Sequence, residues 1–196
     1  MSVPTVKSYA EMAISEKEIL RYAKVGKADA ETLNLLNSAL AEARAALTYG
    51  VCYAKFDLST NGDICDFGFL NLKSKSLSKN LEGCHGAIVF AATVGIGLDR
   101  LIAKYSRLSP SRAFMLNAVG AERIEALCDA FCEDMQTQLK AKLRPRFSPG
   151  YGDLPLCVQK DVLNLLDASR KIGISLNESM LMSPSKSVTA IVGIEK

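Results

Sequence analysis

The chain has 196 residues, of which 48% are hydrophobic and 23% are charged, a composition typical of globular proteins. A net charge of +3 with dispersed Lys and Arg residues does not indicate a nucleic-acid partner. Residues 1–13 lack the apolar core of a signal peptide, and the run from Ala87 to Val94 is far shorter than the ~20 residues that span a bilayer. We therefore expect a cytoplasmic protein with no membrane partner.

Two helices are predicted near the N-terminus. Ser15 and Glu18 form a capping box flanked by Ile14 and Ile19 at the staple positions, so a helix begins at Glu16. An apolar seam at spacings of three and four predicts a second helix that ends at Gly50. Its members are Leu33, Leu36, Leu40, Ala43 and Leu47.

The middle of the chain is predicted to contain strands. Val51 to Leu72 is rich in β-branched and aromatic residues and is interrupted by the turn signal Asn61-Gly62, which indicates a hairpin. The apolar run Ala87 to Val94 lies between glycines and suits a central strand buried on both faces. A helix that includes Leu98 to Tyr105 follows.

The last third is predicted to be mostly helical. Pro110, capped by Ser109, begins a long helix to about Leu143, in which Gly120 is a weak point. A further helix is expected over about Pro155 to Ile172, and a final strand over Ser187 to Ile194.

This order of elements lacks regular β-α alternation, so it favours an α+β fold with a mixed or antiparallel central sheet and flanking helices. We predict a single domain over residues 1–196. In it, a helical portion of about residues 1–50 packs on an α+β core of residues 51–196.

A candidate binding loop lies in Arg146-Phe147-Ser148-Pro149-Gly150-Tyr151. Pro149 and Gly150 suit the two central positions of a type II turn. Arg146 supplies a planar fork of donors for a carboxylate, and Tyr151 supplies a ring face and a hydroxyl. An ordinary Pro-Gly connection is the alternative interpretation.

Other motifs are weaker. Gly95-Ile96-Gly97 follows a strand, but Arg100 replaces the third glycine of a nucleotide-binding loop, so a strand-to-helix turn is favoured. His85 is the only histidine, and we assign no catalytic residue because no Ser-His-Asp or Cys-His arrangement is evident.

The six cysteines show no C-x-x-C spacing, so we expect reduced, mostly buried thiols and no metal site. Cys128 and Cys132 lie one helical turn apart, which leaves a metal or redox pair as the alternative. Glu122, Asp129 and Glu133, with Glu125 nearby, form an acidic stripe on the long helix. Such a stripe is usually a solvated face, but part of it can also attract a cationic ligand.

Three segments resemble the activation domain of cobalamin-dependent methionine synthase. The loop Arg146 to Tyr151 matches an Arg-x-x-Pro-Gly-Tyr motif, and Glu178 to Val188 matches a later Glu-Ser-x-x-Met-x-Pro-x-x-Ser-Val motif. Leu127 to Glu133 resembles the family more weakly. The resemblance covers the C-terminal third well and much of the middle.

The resemblance implies that the chain binds S-adenosylmethionine, with Arg146 holding the ligand carboxylate. Ser148 and Gly150 are then expected to contact the ligand through backbone groups, and Tyr151 to lie beside the adenosine. Asp129 stands where the family has a ligand-contacting glutamate.

Two departures from the family pattern concern the ligand site. The family's aromatic contact in the final strand falls near Val192, and its N-terminal acidic contact has no evident counterpart.

The chain also lacks two motifs of a complete methionine synthase. His85 is not in an Asp-x-His-x-x-Gly cobalamin motif, and there is no vicinal Cys-Cys pair. We therefore expect a free-standing activation subunit, a component of the synthase rather than a complete enzyme.

The resemblance also implies partners. Cobalamin would be supplied by a separate methionine synthase or other corrinoid protein, and one electron by flavodoxin or a similar reductant. Two alternatives stay open: a ligand-sensing or structural module without a role in methyl transfer, and an activator that transfers electrons through cysteine-bound clusters.

Overall fold

The computed structural model of the chain describes residues 3–68 and 70–195. Its main sheet has four strands in the order β1-β2-β6-β9, all antiparallel to their neighbours. In chain order the elements are β1 (Thr5–Tyr9), α1 (Glu16–Tyr22), α2 (Ala30–Arg44), β2 (Tyr49–Asp57), β3 (Ser59–Asn61), β4 (Ile64–Asp66), β5 (Asn71–Lys73), α3 (Lys75–Asn80), β6 (Cys84–Thr93), α4 (Ile96–Leu108), α5 (Pro110–Leu139), α6 (Val158–Leu166), α7 (Ala168–Ile172), β7 (Ser175–Leu176), β8 (Met182–Ser183) and β9 (Ser187–Glu195).

The central strand β6 divides the core into two layers. Because successive side chains of a strand point to opposite faces, Ile88 and Phe90 enter the layer beneath α1, α2, α4 and α5. Ala87 and Val89 enter the second layer, beneath α3, α6 and α7. Every residue from Gly86 to Thr93 is buried. The predicted central strand and the α+β class with an antiparallel sheet are therefore confirmed.

The N-terminal portion is only partly as predicted. The Ser15 side chain accepts a hydrogen bond from the Glu18 amide at 3.3 Å, and α1 begins at Glu16. Residues 1–50 are not simply helical, however, because β1 adds an edge strand to the main sheet. The second helix ends at Arg44 rather than Gly50, since Tyr49 and Gly50 already pair with β1.

The hairpin predicted over Val51 to Leu72 is wrong in extent. Asn61 pairs with Ile64 across a turn in which Gly62 has φ +60°, so the turn signal itself is confirmed. This turn joins β3 to β4 in a separate three-stranded sheet. β2 instead pairs with β1 and β6, because its own apolar residues fill both layers of the main core.

The long helix α5 is continuous for 30 residues but ends before the predicted Leu143. Lys140 adopts a left-handed backbone with φ +50°, which terminates it. The helix continues through Gly120, where the lack of a side chain lets α4 and the segment before β9 approach closely. A Cβ atom at Gly120 would lie 2.4 Å from Leu98 Cδ2 and 2.9 Å from Lys186 Cγ.

The helix expected over about Pro155 to Ile172 is two helices. Asp167 has φ +52° and separates α6 from α7. No helix within the described ranges is long and apolar enough to cross a bilayer.

The turn Gly95-Ile96-Gly97 is a packing device. A Cβ at Gly97 would lie 2.2 Å from the Ala46 carbonyl oxygen, and one at Gly95 would lie 2.2 Å from Thr48 Oγ1. Both glycines thus allow the connection from α2 to β2 to touch the start of α4. The favoured interpretation as a strand-to-helix turn fits this geometry.

Candidate functional site

The segment that carries Arg146 runs along the outer edge of β9. The Arg144 amide donates to the Gly193 carbonyl at 2.9 Å, and the Phe147 amide donates to the Ile191 carbonyl at 2.9 Å. The Ile191 amide returns a hydrogen bond to Phe147 at 2.8 Å. The backbone on either side of Arg146 is therefore fixed, and its side chain is held over the C-terminal half of α5.

The Arg146 guanidinium lies between two carboxylates of α5. Its Nη2 is 2.8 Å from Glu125 Oε2, and its Nη1 donates to Asp129 Oδ1. Only 24% of the Arg146 side chain is exposed, against 64% for Asp129. Burial disfavours the charged guanidinium, but the hydrogen bond and the attraction of the carboxylates outweigh it and raise the pKa of Arg146. The predicted residues Arg146 and Asp129 are thus brought into direct contact.

The Pro-Gly turn has the predicted geometry. The Tyr151 amide donates to the Ser148 carbonyl at 3.1 Å, and Gly150 has φ +92°, as the second central position of a type II turn requires. The Gly150 amide is used within the loop, where it donates to the Leu154 carbonyl at 2.9 Å. In the described part of the chain, the Ser148 N–H and the Gly150 C=O have no hydrogen-bond partner.

Tyr151 extends from this turn into solvent. Its residue is 68% exposed, and its ring centroid is 6.4 Å from that of Phe147. Among the described residues no hydrogen bond links Tyr151 to the Arg146–Asp129 pair. The aromatic face is therefore available to an external partner.

The loop is anchored on its far side by Asp153. This carboxylate accepts hydrogen bonds from the Ser74 hydroxyl at 2.5 Å and from the amides of Lys75 at 2.8 Å and Ser76 at 3.0 Å. The Ser74 hydrogen bond contributes most to lowering the pKa of Asp153, followed by those from the two amides. A Cβ at Gly152 would lie 2.6 Å from Ser76 Oγ, so the glycine permits the close approach. The turn is tied to the first turn of α3.

Two open grooves meet at Asp129. The acidic groove, of about 420 Å³, lies between the N-terminal segment and α5. The second groove, of about 710 Å³, lies between α5 and the segment that carries Arg146. The acidic groove is lined by Met12, Ala13, Ser15, Glu18, Tyr22, Glu122, Glu125, Ala126, Asp129, Ala130 and Glu133.

The acidic stripe of α5 divides into structural and accessible parts. Glu122 is buried and is hydrogen-bonded to Arg123 and to the Ser15 amide at 3.0 Å. Arg123 is 0% exposed and also donates to the carbonyls of Met12 and Ala13. Asp129 and Glu133 are exposed on the groove. The stripe is therefore partly a docking point for the N-terminal segment and partly a groove wall.

The family model for the activation domain of vitamin B12 dependent methionine synthase matches residues 77–196. The chain belongs to this family.

A solved structure described as the MetH reactivation domain bound to AdoHcy is similar to this activation domain. The two share 15% sequence identity at a TM-score of 0.69, over 97% of this chain and 78% of the solved one. This likeness shows that the folds agree. No curated protein matches the sequence.

The second family segment of this activation domain does not meet Arg146 through any hydrogen bond between described residues. The Met180 carbonyl accepts from Gln159 Nε2 at 3.0 Å, and the Ser185 amide donates to Asp99 at 2.7 Å. Glu178 to Val188 therefore packs against the starts of α6 and α4. Val192 is fully buried in the core layer beneath α5 and does not reach the surface.

The cysteines of the activation domain are all unpaired thiols. Cys128 is buried, and burial raises its pKa. Burial also raises the pKa of Cys132, and the nearby Arg146 opposes that rise only in part. Within residues 3–68 and 70–195 there is no cluster of three or more His, Cys, Asp or Glu residues that could hold a metal ion.

Sequence reasoning missed two contributors to the site. The sequence indicates Glu125 only as a neighbour of the acidic stripe, although its i, i+4 relation to Asp129 puts both on one helix face, and the structure pairs it with Arg146. The Asp153–Ser74 contact joins residues 79 positions apart. No local signal in the sequence indicates that contact.

Proposed function

We propose that this activation domain binds S-adenosylmethionine and supports reductive remethylation of the cob(II)alamin form of a separate methionine synthase or other corrinoid protein. The observation that carries the proposal is the contact between Arg146 and Asp129, in a chain of the activation-domain family. The MetH reactivation domain of similar fold was solved with AdoHcy, which supports a ligand of this class.

The amino-acid end of such a ligand suits the Arg146–Asp129 pair. A carboxylate matches the planar guanidinium fork, and an ammonium group matches the Asp129 carboxylate. Ligand binding would then exchange one internal ion pair for two between protein and ligand. Since Asp129 is well exposed, its side chain is free to make this exchange.

The Pro-Gly turn supplies the next contacts in this proposal. The Ser148 N–H and the Gly150 C=O have no hydrogen-bond partner among the described residues, and we assign them to the ligand because the resemblance to the family places ligand contacts at Ser148 and Gly150. The exposed Tyr151 ring offers a face on which an adenine base can stack, an interaction worth ~1–3 kcal/mol per base.

The charge of the site also suits a sulfonium ligand. Glu125, Asp129 and Glu133 line the acidic groove, and their negative potential attracts a cation. The domain's part in the reaction is to bind and orient the sulfonium methyl group. In this proposal, cobalamin held by the partner would supply the methyl acceptor, and flavodoxin or a similar donor would supply the one electron that its cob(II) form requires.

A spectroscopic assay tests the proposal. The chain is mixed with a cobalamin-bearing methionine synthase that lacks an activation domain and is in its cob(II) form, together with S-adenosylmethionine and a reductant. We expect the visible spectrum of methylcobalamin to appear faster than in the mixture without the chain. Equal rates would contradict the proposal.

Calorimetry, combined with the same spectroscopic assay, distinguishes the activation role from the alternative function of a sensor or structural module. A sensor or structural module would bind S-adenosylmethionine, measured by calorimetry, yet leave the cob(II) spectrum unchanged. Binding together with methyl transfer supports the activation role.

A further inference from the structure

Arg146 is shared between two carboxylates that differ in their relation to the proposed ligand. Glu125 and Asp129 are one helical turn apart on α5, and each accepts a hydrogen bond from a different terminal nitrogen of the guanidinium. The backbone hydrogen bonds at Arg144 and Phe147 hold the arginine's position on β9. Access of a ligand to the guanidinium therefore depends on the carboxylates rather than on movement of the segment.

Arg146 has one positive charge, which can neutralise only one of its two carboxylate neighbours. One guanidinium faces two carboxylates, so the cluster carries a net charge of −1 before any ligand binds. An amino-acid ligand adds one carboxylate and one ammonium group. If the ammonium group neutralises Asp129, the ligand carboxylate and Glu125 are left to share Arg146, and their like charges repel each other.

Glu125, like Asp129, is exposed enough to leave Arg146. Its side chain is 45% exposed and lines the acidic groove, so it can turn into water. Its contact with Arg146 is a partly exposed ion pair, and such pairs have modest strength.

We propose that Glu125 competes with the ligand carboxylate for Arg146 and thereby lowers the affinity of this site for S-adenosyl amino acids. The inference rests on the proposed function, because it concerns the same site. It assigns opposite roles to neighbouring acids: Asp129 favours the ligand, and Glu125 opposes it.

Calorimetry with S-adenosylhomocysteine tests the inference, because this ligand has the amino-acid end without the sulfonium charge. Glu125→Gln and Glu125→Ala should bind about two- to fivefold tighter than the wild-type chain, the range expected for release of a partly exposed ion pair. Asp129→Asn should bind more weakly. Glu31 of α2 is exposed and lines neither groove, so it gives a charge-matched control, and Glu31→Gln should bind as the wild type does.

A second ligand isolates the carboxylate. Methylthioadenosine lacks both the carboxylate and the ammonium group, so its affinity should be the same for the wild type and Glu125→Gln. The inference would be overturned if Glu125→Gln also bound methylthioadenosine more tightly by the same factor. It would also be overturned if Glu133→Gln bound S-adenosylhomocysteine as tightly as Glu125→Gln does. Either result would show that the net charge of the groove, rather than Arg146, decides the affinity.

The two proposals fail in different ways. Unchanged or weaker binding of S-adenosylhomocysteine by both Glu125 variants, with normal binding by the wild type, overturns this inference alone. No binding by the wild-type chain overturns the ligand assignment and this inference together.

Discussion

Asp153 in the Pro-Gly loop accepts a 2.5 Å hydrogen bond from Ser74, the N-cap residue of α3. The hydrogen bonds at Asp153 favour the ionised carboxylate and lower its pKa. A lowered pKa in the folded state stabilises the fold above the unfolded pKa of about 4. That stabilisation is lost as the pH falls through the folded value. The position of the loop is thereby linked to the charge of one carboxylate.

We predict that Asp153→Asn melts at a lower temperature than the wild type at pH 7, because it lacks this charge. The difference should shrink as the pH falls below about 4, because the carboxyl group is then protonated in the unfolded chain while the folded wild type still holds it ionised. Thermal denaturation followed by circular dichroism at several pH values measures it. A difference that stays constant down to pH 2 would show that the charge is not the cause.

Gly97 should tolerate no side chain. Because a Cβ there would lie 2.2 Å from a backbone oxygen of Ala46, Gly97→Ala should cost about 1–3 kcal/mol in the free energy of unfolding. A Cβ at Gly26 would have no neighbour within 4 Å, so Gly26→Ala serves as the matched control and should cost nothing. Urea denaturation of both variants measures the costs. Equal stabilities would contradict the packing role of the glycine turn.

The buried Arg123 should be essential for stability. It is 0% exposed, is paired with Glu122 and donates to two carbonyls of the N-terminal segment. Arg123→Met leaves the Glu122 charge buried without its partner, so we expect a loss of about 3 kcal/mol in the free energy of unfolding. Arg21→Met, on the surface of α1, is the control and should melt close to the wild type. A wild-type melting temperature for Arg123→Met would refute this role.

Tyr151 should affect binding without affecting stability. Since its side chain is largely exposed, Tyr151→Ala should change the free energy of unfolding by less than about 0.5 kcal/mol. The affinity of Tyr151→Ala for S-adenosylhomocysteine should be at least about fivefold lower than that of the wild type if the tyrosine ring stacks on adenine. Calorimetry and thermal denaturation of the same preparation measure both quantities. Unaltered affinity would remove Tyr151 from the proposed site.

Local signals in the sequence predicted the parts of the fold that depend on nearby residues. The Ser15 cap, the Pro149-Gly150 turn and the buried strand around Val89 each follow from a short pattern, and each is present. The edge strand β1 was missed because its five residues are largely exposed and form no apolar run. Its pairing with β2 joins distant parts of the chain, which a local pattern does not encode.

In the candidate site too, the sequence predicted individual residues but not the contacts that depend on the folded chain. The planar fork of Arg146 suggested a carboxylate partner from the sequence alone, and the resemblance to the family singled out Asp129. The hydrogen bond from the same guanidinium to Glu125 depends on how α5 packs beside β9. The role of Asp153 as an anchor likewise depends on a contact made only in the folded chain.

The central claim is that Arg146 holds the amino-acid end of an S-adenosyl ligand. Calorimetric titration with S-adenosylhomocysteine tests it on the wild type, Arg146→Ala, Arg146→Lys and the surface control Arg170→Ala. We predict wild-type affinity for Arg170→Ala and a loss of at least about tenfold for Arg146→Ala, with Arg146→Lys in between because it keeps the charge without the fork. Folded Arg146→Ala protein that binds the ligand as tightly as the wild type would contradict the claim.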